Sequence, residues 1–153
     1  MLIENLPINY REILSRLPEL LFMLPHKQIG VGVILNERGE VLIDRRPAKG
    51  LMGGLWEFPG GKIEQNETVS ACIKREILEE LAIEVEVGEH LITVNHTYSE
   101  FSLTLIAHLC HYRGGEPQTI ACEEIRWVTL TQIDQFRFPQ ANNKIIAALR
   151  NVL

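Results

Sequence analysis

Apolar and polar residues alternate along much of the chain, and this pattern predicts a β-sheet. Residues 28–35 place an apolar side chain at every second position, and the turn sequence at residues 36–39 leads into a second apolar run at residues 41–43. This arrangement is typical of a β-hairpin. Further strands are predicted at residues 56–58, 84–87, 91–98, 101–111 and 125–130, with a glycine-rich loop at residues 49–54 before the first of them.

A helical period begins after Asn66 and continues to Leu81 without a Gly or Pro. We expect Asn66 to be the N-cap, with Glu67 in the first turn, where the helix dipole favours a negative charge. A short helix is predicted after Thr131 and a last one at residues 142–153. Strands interleaved with helices indicate an α/β fold, with a mixed β-sheet sandwiched between α-helices. The buried stripe of the central helix consists of Val69, Cys72, Ile73, Ile77 and Leu81.

The chain is expected to comprise a helical extension, residues 1–25, and one domain, residues 26–153. Apolar positions in the extension predict a short amphipathic helix that starts near Pro7 and is kinked or split near Pro18. Charged residues interrupt the apolar run, so neither a signal peptide nor a membrane span fits. Packing across the domain, a dimer contact and the remnant of a linker are all open roles for this extension.

The central helix carries acids where packing alone would not put them. Glu76 and Glu80 project into the apolar arc and Glu79 lies on its edge, whereas Lys74 and Arg75 are predicted to face solvent. Burying an unpaired carboxylate costs several kcal/mol, so a positive partner is required. One alternative is ordinary ion pairing, since Arg75 and Glu79 are four residues apart.

A glycine turn directly precedes this helix. Residues 56–62 run from an apolar strand end into Gly60 and Gly61, whose backbone groups are unobstructed by side chains. Mg²⁺ takes oxygen ligands from carboxylates, backbone carbonyls, water and substrate phosphates. A glycine turn beside clustered carboxylates therefore favours the cation interpretation over the ion-pair alternative.

These residues resemble the Nudix box, which has the form Gly, five residues, Glu, seven residues, Arg-Glu-aliphatic, one residue, Glu-Glu, one residue, Gly-aliphatic. The chain departs from that pattern at Ala82, where the family has Gly; an Ala stiffens the helix end if φ is positive there. The match covers eight of nine specified positions over 23 residues, namely Gly61, Glu67, Arg75, Glu76, Ile77, Glu79, Glu80 and Ile83.

The resemblance implies the Nudix fold and hydrolysis of a nucleoside diphosphate linked to a further group. It implies that Mg²⁺, or Mn²⁺, is held by Glu76, Glu79 and Glu80 together with the backbone carbonyl of Gly60. In such families the arginine at position 75 orients the acids, and the glutamate at position 67 supports the loop by pairing. These five side chains are the candidate catalytic set.

Residues outside the box resemble MutT-type 8-oxo-dGTP pyrophosphohydrolases, over roughly residues 28–150. The similar segments include residues 57–64 and 138–142. The resemblance implies that Asn142, Arg46 and the backbone of Phe58 contact the purine, and that the reaction converts 8-oxo-dGTP to 8-oxo-dGMP and pyrophosphate to sanitise the nucleotide pool. Two alternatives stay open: Asn142 as a helix N-cap, and Arg46 as a solvated cation.

Two other segments are similar to the C-terminal domain of MutY-type adenine glycosylases. They are residues 51–59 and 96–105. That resemblance implies a non-catalytic module that reads 8-oxoguanine, and a hydrolase of another nucleoside diphosphate derivative is a further alternative. A reader has no need for Glu76, Glu79 and Glu80 together, so their joint presence favours the enzyme.

The residue that acts as the general base is not indicated. MutT-like enzymes often carry a further Glu six residues before a tryptophan such as Trp127, and here that position is Ala121. Glu123 and Glu124 lie close by and could substitute for it. The alternative is that both are solvated loop acids.

Composition agrees with a small enzyme. At 153 residues and 46% hydrophobic content the chain supports one domain with a core and is not disordered. A net charge of −5 argues against a protein that coats nucleic acid, so we expect a small nucleotide as partner and no membrane. Three scattered cysteines suit a reducing cytoplasm, and monomer and homodimer are both open. A zinc site at His108, Cys110 and His111 is disfavoured, because strand alternation splits them between two faces.

Overall fold

A seven-stranded mixed sheet organises the chain in the computed structural model, which describes residues 8–153. The strands are β1 (His26–Leu35), β2 (Val41–Arg45), β3 (Trp56–Glu57), β4 (Gly60–Lys62), β5 (Glu84–Thr97), β6 (Ser102–Gly114) and β7 (Glu124–Val128). The helices are α1 (Ile8–Ser15), α2 (Leu17–Phe22), α3 (Val69–Leu81) and α4 (Asn143–Val152), with short 3₁₀ segments at Ile133–Gln135 and Gln140–Asn142.

Strand β1 is the centre of the sheet. The strand order is β3-β2-β1-β6-β5, with β4 paired to β1 and β7 paired to β2. β1 runs parallel to β6 along its whole length, from His26 opposite Ser102 to Leu35 opposite His111, and its other pairings are antiparallel. The antiparallel pairing with β4 brings Gly60 opposite Val31 and therefore attaches the glycine turn to the middle of the sheet.

The two faces of β1 are covered by different helices. Gly30 and Gly32 face α3 so closely that a Cβ atom on Gly32 would lie 2.6 Å from Ile77 Cδ1. On the opposite face, Val31 and Val33 belong to a core cluster that includes Ile145 and Leu149 of α4. The predicted α/β fold, with its mixed sheet sandwiched between helices, is thus confirmed.

The start of α3 differs from the prediction. The helix begins at Val69, and Thr68 is its N-cap, with the Thr68 hydroxyl accepting a hydrogen bond from Ala71 N at 3.1 Å. Asn66 does not cap the helix but takes the left-handed conformation, with φ 63°. That conformation suits the tight turn in which Glu67 N donates to Glu64 O, and Asn tolerates it better than most residues.

Three further predictions need correction. The two strands predicted at residues 84–87 and 91–98 form the single strand β5, whose pairing with β6 shifts register between Val87 and Ile92. The helix predicted after Thr131 is a three-residue 3₁₀ segment without a side-chain cap. The last helix begins at Asn143, one residue later than predicted.

The extension forms the helices α1 and α2, which are divided at Arg16, close to Pro18 as predicted. Pro18 is the second residue of α2, where a missing N–H is tolerated. Pro7, the predicted start, lies outside the described residues. Of the apolar side chains, Ile13 and Leu17 remain 50% and 42% exposed, so they do not pack into the core. None of the described helices is long and apolar enough to cross a membrane.

We predict that Ala82→Gly stabilises the protein. Ala82 ends α3 in the left-handed conformation at φ 57°, where a Cβ atom is strained and Gly is not. The substitution is expected to raise the free energy of unfolding by about 1 kcal/mol, measured by urea denaturation. As a control with the opposite sign, Ala147→Gly in the exposed part of α4 should lower it by about 1 kcal/mol. A loss of stability in the Ala82 variant would contradict the prediction.

Candidate active site

A cavity of about 290 Å³ lies on the α4 side of the sheet, beside the glycine turn. Its floor is formed by alternate residues of β1 and β6, including Val31 and Leu105, and Gly60 and Gly61 lie at its edge. Glu80 of α3 reaches the same cavity. Two of the predicted metal ligands, Gly60 and Glu80, therefore line the same cavity as the residues predicted to contact the base.

Glycine is required at position 61 because of what lies next to it. A Cβ atom built there would collide with the carboxyl group of Glu76. At position 60 a Cβ would collide with the carbonyl oxygen of Gly30 on the paired strand. The bare backbone thus lets the Glu76 carboxylate rest against β4, next to the Gly60 carbonyl that the Nudix resemblance implies as a ligand.

The helical period predicted that Arg75 faces solvent, and this prediction is wrong. Arg75 is the cation of an ion-pair network. Its side chain is 26% exposed, and its Nε donates to Glu67 Oε2 at 2.7 Å. Its Nη1 lies 2.8 Å from Glu76 Oε1 and 3.3 Å from Glu79 Oε2. The hydrogen bonds from Arg75 and from Glu64 N lower the pKa of Glu67 to about 2. The Arg75–Glu79 pair that the ion-pair alternative expected is thus present, and Glu76 pairs with the same guanidinium.

Glu80 has a different environment. It lines a second, smaller cavity of about 150 Å³ together with Asp44 of β2 and Glu57 of β3. Burial raises the pKa of Glu80, and the neighbouring carboxyl groups of Glu76 and Glu57 raise it further. Asp44 is 4% exposed, and burial followed by the charge of Glu57 raises its pKa as well. Both acids lie within a cluster of like charges.

The donor set of this region suits a hard cation. Glu76, Glu79, Glu80 and the Gly60 carbonyl supply oxygen atoms, which Mg²⁺ and Mn²⁺ prefer to nitrogen or sulfur. Glu79, at 59% side-chain exposure, lies at the outer edge of the group. Within residues 8–153, no three His, Cys, Asp or Glu side chains already form a metal site, so a cation would have to draw the carboxylates together.

The residues predicted to contact the base line the large cavity. Asn142 is 8% exposed and occupies the N-cap position of α4, as the N-cap alternative expected, but its side chain makes no capping hydrogen bond. Phe58 is buried against Phe138, with ring centroids 5.3 Å apart. Arg46 is not a freely solvated cation, because it donates to Glu57 Oε2 at 2.7 Å and to the Leu51 carbonyl at 3.0 Å.

The proposed substitutes for the missing loop acid, Glu123 and Glu124, have partners outside the acid cluster. Glu123 accepts a hydrogen bond from Ala48 N at 2.9 Å and lies near Arg45, so it fastens the glycine-rich loop to the loop before β7. Glu124 pairs with Arg126. Ala121 does line the small cavity, together with Cys122, but brings no carboxylate to it.

Asp44, Glu57, Lys27 and Tyr98 are polar lining residues that were not predicted as site residues from the sequence. Asp44 and Glu57 join the acid cluster, while Lys27 and Tyr98 line the large cavity. The sequence did indicate Asp44, because it directly follows the apolar run at residues 41–43. A charged residue at the end of a buried strand is uncommon and often has a functional role. Glu57 is brought beside Asp44 by the pairing of β3 with β2, and Lys27 beside Leu103 by the pairing of β1 with β6. Tyr98 lies in the turn between β5 and β6.

Comparison with known proteins agrees with this geometry. The sequence profile of the NUDIX domain family matches residues 30–148. The 8-oxo-dGTP diphosphatase of Escherichia coli K12 is 34% identical over 125 residues, which cover 82% of this chain and 97% of that protein. The CTP pyrophosphohydrolase of the same organism is 44% identical over 61 residues, 40% of this chain and 45% of that protein.

Solved structures show the same fold. The crystal structure of the MutT protein from Methanosarcina mazei Go1 superimposes with a TM-score of 0.76 at 25% identity, covering 84% of this chain and 95% of that one. The family match spans both the glycine turn with its acidic helix and the strands of the large cavity. The chain belongs to the NUDIX domain family and is a Nudix hydrolase.

Proposed function

We propose that this protein hydrolyses 8-oxo-dGTP to 8-oxo-dGMP and pyrophosphate with the help of Mg²⁺, and so removes an oxidised precursor from the nucleotide pool. The observation that carries the proposal is the shared cavity, in which Glu80 and Gly60 lie along one wall with Asn142 and Arg46. A bound nucleotide could place its phosphates at the first pair and its base at the second.

The proposed metal ligands are Glu76, Glu79, Glu80 and the carbonyl of Gly60. A divalent cation bound there would neutralise phosphate oxygens and acidify a coordinated water for attack on phosphorus. Mg²⁺ is the proposed ion, and Mn²⁺ shares its preference for oxygen. The pKa values of Glu80 and Asp44 are raised in the metal-free protein, which is the behaviour expected of carboxylates that lack a cation.

Arg75 and Glu67 are proposed to act by holding the acids in place. The guanidinium holds Glu76 and Glu79 from the side away from the cavity, and Glu67 fixes the guanidinium from the opposite edge. Glu67 in turn accepts a hydrogen bond from Glu64 N, which ties the network to the loop before α3. The network would thus limit how far the Glu76 and Glu79 carboxylates can move when a cation draws them together.

Base recognition is assigned to Asn142, Arg46 and the backbone of Phe58. The side-chain amide of Asn142 offers a donor and an acceptor to a purine edge. It makes no capping hydrogen bond to the first turn of α4. The activity named for the Escherichia coli relative, which the chain matches over nearly that protein's full length, supports the oxidised guanine nucleotide. The CTP pyrophosphohydrolase match makes a cytosine nucleotide the second candidate.

The proposed setting follows from the substrate. A net charge of −5 suits free nucleotides held through metal better than a stable complex with DNA. We therefore propose a cytoplasmic enzyme, monomeric or homodimeric, rather than the reader module similar to the MutY C-terminal domain. Lesion-containing DNA should not bind in low salt, and binding without hydrolysis would favour the reader instead.

We predict that Glu80→Gln abolishes most turnover without unfolding the protein. The substitution removes a charge from the metal-ligand set, so kcat should fall at least ~100-fold and calorimetric Mg²⁺ affinity should fall with it. The urea midpoint of the metal-free variant should equal or exceed that of the wild type, because a like charge has been removed. Glu84→Gln, an exposed acid at the start of β5, is the matched control. Retention of both turnover and Mg²⁺ affinity would exclude the metal assignment.

The substrate prediction is tested by a panel of 8-oxo-dGTP, dGTP, dATP, CTP and ADP-ribose with Mg²⁺. We expect the highest kcat/KM for 8-oxo-dGTP, and Asn142→Ala should raise KM for it about tenfold through the lost hydrogen bonds. The exposed neighbour Asn143 provides a control of the same residue type. Equal rates on dGTP and 8-oxo-dGTP would contradict the specificity, and a preference for CTP would favour the second candidate.

The raised carboxyl pKa values predict a pH dependence of the metal-free protein. Burial and neighbouring acids raise the pKa of Glu80 to about 8 and that of Asp44 to about 9, above their ordinary values of 4.5 and 3.8. The folded state therefore holds these protons more tightly than the unfolded chain, and the associated stability, complete below pH 4, is lost as pH rises through 8 to 9. In EDTA, Tm should fall between pH 6 and pH 9.

Mg²⁺ should reverse that loss. Because a cation replaces the protons, the rise in Tm on adding Mg²⁺ should be larger at pH 9 than at pH 6. Glu80→Gln should reduce this difference, whereas Glu89→Gln, an exposed acid of β5, should leave it unchanged. An equal Mg²⁺ effect at both pH values would contradict the prediction.

A further inference from the structure

The large cavity has a second end that the proposed metal and base contacts do not use. Lys27, Ile29 and Val31 alternate along β1 and all line the cavity. Val31 is paired with Gly60 at the glycine turn. Val31 is four residue steps from Lys27 along the strand, a distance of about 13 Å at the usual rise per residue. Lys27 therefore marks the rim farthest from the carboxylates along this strand.

Two cationic side chains, Arg46 and Lys27, line the cavity, and they differ in their hydrogen-bond partners. The Arg46 guanidinium is engaged by the Glu57 carboxylate and the Leu51 carbonyl. The Lys27 ammonium instead lies over the ring of Phe101, 5.0 Å from its centroid, and no carboxylate of the described residues pairs with it. An ammonium has three N–H donors and no acceptor, and a ring face satisfies none of them fully. Lys27 thus has donors available to a bound molecule.

The wall beside Lys27 is aromatic and is joined to the segment that carries Asn142. The rings of Phe101 and Tyr98 lie 5.0 Å apart, and both line the cavity. The Tyr98 hydroxyl accepts a hydrogen bond from Ala141 N at 3.1 Å, one residue before Asn142. An apolar aromatic wall beside free donors suits a flat heterocycle with an acceptor atom at its outer edge.

We infer that Lys27 is a specificity-determining residue, which donates a hydrogen bond to a keto oxygen on the outer edge of the bound base. Guanine and 8-oxoguanine carry such oxygens, and lysine is a recurrent partner of guanine oxygen in base recognition. Adenine has an amino group in the corresponding position. Because the amino group and the Lys27 ammonium are both hydrogen-bond donors, they cannot form this hydrogen bond. Lys27 thus selects keto purines over adenine.

The inference deepens the proposed function, and its test does not require turnover. Dissociation constants of 8-oxo-dGMP, dGMP and dAMP are measured by titration calorimetry for the wild type, Lys27→Met, Lys27→Arg and Lys74→Met. Methionine keeps most of the lysine's length and removes its donors, arginine keeps both charge and donors, and Lys74 is an exposed lysine of α3 that serves as control.

Lys27→Met is expected to raise the dissociation constants of 8-oxo-dGMP and dGMP about tenfold and to leave that of dAMP within about twofold. Lys27→Arg should retain most of the preference, and Lys74→Met all of it. An equal loss for dAMP, weakening at higher salt, would show a general attraction to phosphate and overturn the inference, as would unchanged constants.

Failure of the proposed function gives a different result. If the wild type does not hydrolyse 8-oxo-dGTP but binds the keto monophosphates through Lys27, the inference holds and the proposed reaction is wrong. If 8-oxo-dGTP is hydrolysed and Lys27→Met raises KM for it with kcat unchanged, both hold. Hydrolysis with the same KM in Lys27→Met keeps the reaction and overturns the role of Lys27.

Discussion

Carboxylates outnumber cations where α3 meets β2 and β3, and the balance of that charge determines the geometry of the site. Arg75 neutralises one end of the row and Arg46 the other, each through a hydrogen bond of 2.7 Å to a glutamate. Glu80 and Asp44 line one small cavity with Glu57 and make no ion pair of their own among the described residues, and burial makes their charges costly. This excess of negative charge between carboxylates is the physical basis for the proposed cation site.

Close packing of backbone, rather than the acids alone, puts this gap beside the substrate cavity. Gly30 and Gly32 allow α3 to approach β1, and Gly60 and Gly61 allow β4 and the Glu76 carboxylate to occupy the same narrow space. Interiors are packed too densely for such contacts to tolerate an extra methyl group. The glycines therefore position the carboxylates as directly as the helix that carries them.

The sequence was sufficient for the fold class and for the acids of α3, because helical period and strand alternation are local properties. It misplaced Arg75, since a helical wheel does not show that the loop before the helix folds back and brings Glu67 to the guanidinium. It also left Asn142 undecided between cap and ligand; Asn142 does occupy the N-cap position of α4, but its side chain makes no capping hydrogen bond. Lys27 and Glu57 entered the site through strand pairing, which depends on contacts between distant parts of the chain.

The hydrogen bond from Ala141 N to the Tyr98 hydroxyl joins residues that are 43 positions apart in the sequence. The end of the cavity near Asn142 therefore depends on contacts between distant parts of the chain. The carboxylates of β3 and α3 belong to one short stretch of chain, whereas the base end combines β1, the β5–β6 hairpin and the segment before α4. Non-local contacts form late and depend on the complete chain. The cavity is therefore complete only when the segment before α4 has docked against Tyr98, so a change in the packing of the last helix would alter the end of the cavity proposed to hold the base.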